Sequence, residues 1–408
     1  MVPIIIVFDF VMVVPLGLEL YLGIPETVYR NFTLAMEDST TTAIFVGFLF
    51  CMQVAFLHEI RHLRKYIKRG SNNAEAREVL KNIAFSKYRG IMIVFCYIVF
   101  GIIIFKIALS PDPSYYFRIN SATVEYSYLI SSYQKNMRTW AVLLGVAVIV
   151  LKLLDNRRNF LLFVSRIVFI VTIVFVDQKR TLLMLVVGVC FLIDYLNEHK
   201  TSRLVAKYAV IFGGTAAYFF LYMYISNKIS YNNDWYYLMN EYIFRSMHLR
   251  FAIYAWMHPA DIHILDYPGQ SILFSLFYWV PRALWPTKPL PYVQYYISGL
   301  LGYSSYNYDS IGWGMPTSYY PEFVSNFGLI GLAVGLLFTV WATRFFEQRN
   351  LICKLAGIGL ITILEVYYYD DALKILAFAV LLLFMKEYVS FDGGKMTIKI
   401  KTRRSRFQ

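Results

Sequence analysis

Gly90–Leu109 reads GIMIVFCYIVFGIIIFKIAL, twenty residues with one charge. A helix needs about twenty mainly apolar residues to cross the hydrocarbon core of a bilayer. Working outward, similar runs lie near 2–22, 41–58, 139–154, 160–176, 181–196, 204–225, 324–343, 351–367 and 372–388. The strict apolar/polar alternation of a transmembrane β-barrel is absent. The expected fold class is therefore an all-α polytopic integral membrane protein of about 10 transmembrane helices with a large external loop.

Composition supports this reading. Of 408 residues, 58% are hydrophobic and 16% charged, and mean hydropathy is +0.51. Soluble domains carry about a quarter charged residues, so this chain lacks the polar surface to coat several cores. Disorder and a disulfide-stapled secreted fold are excluded on the same grounds. The four cysteines, Cys51, Cys96, Cys190 and Cys353, lie far apart in apolar runs without the spacing of a zinc or redox motif.

The net charge of +13 is explained by where it sits. Between His58 and Arg89 lie Arg61, Arg64, Lys65, Lys68, Arg69, Arg77, Lys81 and Lys87; Arg157, Arg158, Lys200, Arg203, Lys207, Arg344 and Arg349 follow, and the tail is basic again. With the spans above, all fall on one side, which the positive-inside bias assigns to the cytoplasm together with both termini. The charge is thus a topology signal, and no nucleic-acid partner is expected. Asp9 and Glu19 interrupt the first span, which has no basic start or small-residue cleavage site and reads as an anchor, not a signal peptide.

The expected organisation is an N-terminal bundle over 1–225 with a basic loop at 59–89, an external loop over 226–323, C-terminal spans over 324–388 and a basic tail over 389–408. A loop of nearly a hundred residues exceeds what a connector needs, and long loops on a rigid scaffold tend to carry function. It is rich in Tyr and Trp, whose faces suit sugar rings. Within it Ser271–Val280, SILFSLFYWV, is too short to span and is expected to lie in the interface or re-enter.

Few basic residues fall on the external face; among them are Arg30, Arg118, Arg180, Arg245, Arg250, Arg282 and Lys288. Arginine presents a planar fork suited to phosphate oxygens. Asp177–Arg180 lies between two barely spanning runs, which places Arg180 either near the membrane interior or in an ordinary charged turn. Arg166, within the preceding run, is either another buried functional charge or simply the partner of Asp194 or Asp155. In Glu241–Arg250, EYIFRSMHLR, helical spacing brings Arg245 and His248 near one face; His248 is either a base or a hydrogen-bonded structural residue. Glu322 opens a late span and is read either as a proton acceptor or as the partner of Arg282 or Lys288. His258 and His263 imitate a metal pair, but Pro259 breaks the helical face and no third ligand is evident. No P-loop, dinucleotide fingerprint, GxSxG or HExxH occurs.

Three stretches carry a resemblance: WVPRALWPTKP at Trp279–Pro289, PTSYYPEFVSNFGLIG at Pro316–Gly331, and VDQKRTLLMLVVG at Val176–Gly188. With the topology, they resemble bacterial Wzy-type oligosaccharide repeat unit polymerases, relatives of the O-antigen ligases. The resemblance implies a GT-C-like glycosyltransferase of the bacterial inner membrane, its site facing the periplasm, working without metal, cofactor or nucleotide sugar. Donor and acceptor would be undecaprenyl-pyrophosphate-linked glycans, and a chain-length regulator is a further expected partner. Arg180, Arg245, Arg250 and Arg282, supported by Lys288, would hold the pyrophosphate. Glu322 first, and His248 second, would accept the acceptor hydroxyl's proton, while Trp285, Trp313, Tyr319 and Tyr320 would line the glycan path. A ligase acting on lipid A core, or a lipid-linked glycan flippase, are the competing readings.

Overall fold

The structure, a computed structural model, describes residues 2–27, 29–67, 89–117, 128–155, 159–177, 180–197, scattered positions between 206 and 217, 235–302, 315, 317–347, 351–366, 389–392 and 395–398. They form two compact units, one built from 1–69 with 235–408 and the other from 70–234. This grouping differs from the expected one, which kept residues 1–225 together. The first two spans group with the late part of the chain because Phe8 and Phe48 pack edge-to-face on Tyr320, at ring separations of 6.0 and 5.0 Å.

The first unit opens with α1 (Val2–Phe8), a π turn (Asp9–Val13) and α2 (Val14–Leu22), followed by α3 (Arg30–Glu37) and α4 (Ser39–Ile67). The second holds α5 (Arg89–Ala108), α6 (Tyr128–Leu154), α7 (Phe160–Asp177) and α8 (Arg180–Asn197). The chain then returns to the first unit with α9 (Trp235–Tyr242), α10 (Ser246–Met257), α11 (Gln270–Leu276), α12 (Tyr292–Leu301), α13 (Tyr319–Phe327), α14 (Ile330–Glu347) and α15 (Leu351–Val366). In the tail, β1 (Val389–Asp392) and β2 (Lys395–Ile398) form an antiparallel hairpin with Val389 opposite Ile398. The sequence reading had expected only a basic segment there.

Among the described residues, four helical stretches are long and apolar enough to cross a membrane: Ile4–Leu22, Ser39–His62, Arg89–Ala108 and Ile330–Glu347. Trp140–Leu154, Phe160–Val176 and Gly357–Val366 are shorter apolar helices. The span expected at 181–196 falls on α8, most of 204–225 and all of 372–388 lie outside the described residues, and the full count of ten is not reached among the residues described.

In the second unit α6 packs against α5, α7 and α8. Cys96, Val99, Ile103 and Ile107 of α5 meet Ala141, Leu144, Val148 and Leu151 of α6, both at three- and four-residue spacing. The opposite face of α5 is also apolar: Phe95 and Phe105 are each 63% exposed. A soluble amphipathic helix would be polar there, so lipid is the solvent that suits it. Arg166 pairs with Asp155 at 2.6 Å, one of the two partners expected, while Asp194 is taken by Lys152 and by the hydroxyl of Tyr208, at 2.8 Å.

In the first unit α10 is the central element, packed on α3, α4 and α13. The rod of α1 and α2 widens at its π turn and meets α10 there. In a regular helix the Val11 carbonyl would accept from residue 15, but Pro15 has no N–H. The Arg245 amide donates to that carbonyl instead, at 2.8 Å. A local break in one helix thereby becomes a tertiary hydrogen bond.

NFGLIG is the turn between α13 and α14. Gly328 has φ +64°, and a side chain there would strike the Trp256 indole at 2.3 Å. At Gly331 a Cβ would stand 2.1 Å from the Phe323 carbonyl oxygen, a backbone atom that cannot swing aside. Gly331→Ala is therefore expected to lower stability by about 3 kcal/mol, the upper range of overpacking. The measurement is thermal unfolding in detergent; an unchanged midpoint would mean that α13 and α14 do not approach this closely.

Candidate functional site

Helix α10 carries SMHLRFAIYAWM, and nine of its twelve residues are buried, His248 and Arg250 among them. A helix buried all round must satisfy its polar groups inside the protein. Arg245 and His248 bond within the protein, whereas Arg250 does so only in part.

Arg245 is 1% exposed. Its Nε donates to the Val366 carbonyl at 2.9 Å and its Nη1 to the Phe244 carbonyl at 2.7 Å. Val366 is the last described residue of α15, so the guanidinium ties α10's start to that helix. With its amide on Val11, Arg245 joins three segments of the first unit.

His248 is wholly buried. Its Nε2 lies 3.3 Å from the Glu241 carbonyl, which only accepts, so the proton belongs on Nε2. Nδ1 then accepts from the Tyr296 hydroxyl at 2.8 Å. Burial, then the Arg245 charge, push the imidazole down to about 3. A ring whose one lone pair is already taken, and which resists protonation, is a poor general base.

Arg250 is different. It is 0% exposed, its Nη1 donates to Glu19 Oε1 at 2.8 Å and approaches Met36 Sδ at 3.3 Å, and its guanidinium carbon stands 4.8 Å from the Phe45 ring centroid. Its Nε and Nη2 are buried and find no acceptor among the described residues. A buried guanidinium with most of its fork unmet is costly unless something else fills it.

Glu322 is 1% exposed in the first turn of α13. Ser271 of α11 donates to its Oε1 at 2.6 Å, and Asn326 Nδ2 bonds both the Ser271 hydroxyl and the Glu322 carbonyl at 2.7 Å. Ser271 is thus one hydrogen-bond partner of the carboxylate. Beside it is Tyr292, whose hydroxyl meets Ser325 at 2.9 Å. Burial raises that phenol well above its usual range; the Ser325 bond opposes this and the Glu322 charge adds to it. Tyr292 touches Tyr296, at 5.8 Å between rings, and Tyr296 holds His248. A buried polar path thus runs from α13 through α12 to α10.

The PRALWPTKP loop uses its cations on itself. Arg282 donates to the Lys288 and Pro289 carbonyls at 2.8 and 3.1 Å, and Lys288 to the Tyr278 and Val280 carbonyls at 2.7 and 2.9 Å. Trp285, partly buried, donates to Thr287 at 3.1 Å. These bonds close the loop, and neither cation points at Glu322 in the bonds observed. Arg282 is exposed and Lys288 buried. Tyr319 and Tyr320, expected along a glycan path, are both fully buried: their hydroxyls meet Thr339, and Tyr320 also donates to Glu365 Oε1 at 3.1 Å. The side chain of Arg180, Trp313 and Arg118 lie outside the described residues.

Sequence reading assigned no site role to three buried or half-buried carboxylates. Glu59, 1% exposed, takes both Nε and Nη2 of Arg344, the Nε bond being 2.7 Å. Glu365 is fully buried, with Oε2 unpartnered among the described residues. Glu19 holds Arg250. Glu19 and Glu365 sit in apolar runs, where an isolated acid is itself a signal. His258 stacks on Tyr254 and His263 bonds the Pro259 carbonyl at 2.9 Å; no group of three potential metal ligands stands together among the described residues.

No family model, curated protein or solved structure matches the chain.

Proposed function

We propose that the chain is a membrane glycosyltransferase that polymerises lipid-pyrophosphate-linked oligosaccharide repeat units. The observation that carries this reading is Arg250. Its wholly buried guanidinium leaves Nε and Nη2 without acceptors among the described residues, an arrangement suited to a tetrahedral oxyanion with several oxygens. The motif resemblance at 176–188 and 279–331 supplies the reaction class.

In this reading the acceptor glycan's hydroxyl oxygen attacks the donor's anomeric carbon. The bond from that carbon to the pyrophosphate oxygen breaks, and its electron pair leaves with the lipid pyrophosphate. Arg250 stabilises the charge that collects there, in surroundings without water where such a contact is strong. The hydroxyl proton passes to Glu322, held in place by Ser271. Arg245, His248, Arg282 and Lys288 serve by keeping α10 and the 277–291 loop in position. Membrane location agrees with a lipid-linked donor, and on the positive-inside orientation Glu19 and Arg250 fall at the external end of the first span.

The test uses purified full-length protein and a lipid-pyrophosphate-linked repeat unit, with products resolved on a gel. A ladder without added nucleotide sugar, reduced about a hundredfold in Arg250→Lys, is the expected result, because lysine keeps the charge but not the fork. A single transfer onto added lipid A core would make the protein a ligase. Glycolipid crossing liposomes with no new linkage would overturn the enzyme reading.

A further inference from the structure

We infer that Glu19 is a built-in placeholder at this site: its carboxylate occupies part of the oxyanion position on Arg250 in the empty protein and yields to the lipid pyrophosphate. The inference rests on reading Arg250 as the pyrophosphate-binding residue.

Three observations carry it. The first is the incompleteness of the pair. Arginine and carboxylate normally meet through two parallel bonds, yet Glu19 Oε1 reaches only Nη1, and the rest of the fork stays unmet among the described residues. A tetrahedral phosphate offers more oxygens over a wider angle than a single carboxylate edge. The second is exposure. Arg250's side chain is 0% exposed and Glu19's is 14%, while Met36 and Phe45, which cover other sides of the guanidinium, are 4% and 0% exposed. The carboxylate is thus the member of this group that meets the outside, where a ligand arrives.

The third is where Glu19 stands on its helix. It lies in the last turn of α2, and its own carbonyl accepts from Gly23, the glycine with φ +87° that ends the helix. A carboxylate at a helix C-terminus faces the negative end of the dipole. Nothing local favours it there, so Arg250 is what holds it. Once a ligand neutralises Arg250, that hold is lost. A side chain in the last turn, next to the non-helical stretch 23–27, is well placed to swing away. The device also selects among ligands: an incoming group must offer more charge and more acceptors than one carboxylate, which pyrophosphate does and a neutral sugar does not.

The experiment measures binding of farnesyl pyrophosphate to the full chain in nanodiscs for wild type, Glu19→Gln, Glu19→Asp and Arg250→Lys, with thermal unfolding recorded for each. Glu19→Gln keeps an acceptor oxygen for Nη1 but removes the charge, and Glu19→Asp withdraws the carboxylate by one methylene. Both are expected to bind more tightly, Glu19→Gln by about tenfold, because the competing charge is gone or displaced. In the polymerisation assay Glu19→Gln is expected to lower KM for the donor by a similar factor with kcat unchanged. If folded Glu19→Gln and Glu19→Asp bind no tighter than wild type while Arg250→Lys loses binding, Glu19 is only a structural counter-ion and the inference fails alone. If Arg250→Lys binds as wild type does, the pyrophosphate reading of Arg250 fails and takes this inference with it.

Discussion

Glu322→Gln is expected to abolish ladder formation, slowing transfer by about 10²- to 10⁴-fold, the contribution of a positioned proton acceptor. Donor binding should be unchanged, since Glu322 acts on the acceptor hydroxyl. The substitution is nearly isosteric, and Gln can still accept from Ser271, whose hydroxyl now reaches Oε1 at 2.6 Å. The fold should therefore survive, and lost turnover with an unchanged melting midpoint separates chemistry from collapse. Ser271→Ala supplies a graded control. It removes the bond that orients the carboxylate but not the carboxylate, so it should cost about tenfold in kcat and little in KM. Full activity in Glu322→Gln would remove this residue from the mechanism, leaving its burial at 1% exposure as a packing feature.

The second large effect is on stability against pH. The His248 imidazole is held near 3 when folded, against an ordinary 6.5, by burial first and the Arg245 charge second. Its folded pKa is depressed, so the unfolded chain takes up a proton that the folded chain refuses. The stability tied to His248 is intact above about pH 6.5 and is lost as pH falls towards about 3, on the order of 4 kcal/mol over that window. Urea unfolding in detergent at about pH 7 and about pH 4.5 should show the drop in wild type. His248→Gln should be less stable at neutral pH, because Tyr296 and Phe32 pack on the imidazole, and should have a shallower slope with acid. Equal slopes would show that other groups govern the acid response and that the ring is not held neutral by its surroundings.

The two sides of α4 show what the fold does with charge. Near one end Phe45 lies against Arg250, and Glu59, some 21 Å further along by helical rise, is buried under Arg344. Both acids and both bases come from segments hundreds of residues apart in sequence, and each pair ties the first spans to the late ones.

Much was legible in the sequence because it depends on local composition and period. Apolar runs such as Gly90–Leu109 announce helices in lipid, since a run of that length with an apolar outer face has no aqueous alternative. The same reading picked out EYIFRSMHLR, PRALWPTKP and NFGLIG, and the structure makes these the buried centre, a self-bonded loop and a glycine turn of the first unit. Which partner each charge finds was not legible. Arg245 bonded the Val366 carbonyl, 121 residues away, because α15 lies beside it, and Arg250 met Glu19 because α2 and α10 are neighbours in space, 231 residues apart. His248, an apparent base by residue type, became a neutral structural ring once Tyr296 and the Glu241 carbonyl enclosed it. Hydropathy acts along the chain and is written in its order; a hydrogen bond acts over about 3 Å and belongs to whichever segments the tertiary structure brings within reach. The sequence by itself therefore determined the helical, membrane-type class of this protein and the segments that matter. Only the tertiary structure decided which of their charged residues are tied up in holding the fold and which, like Arg250, are left with bonds still to make.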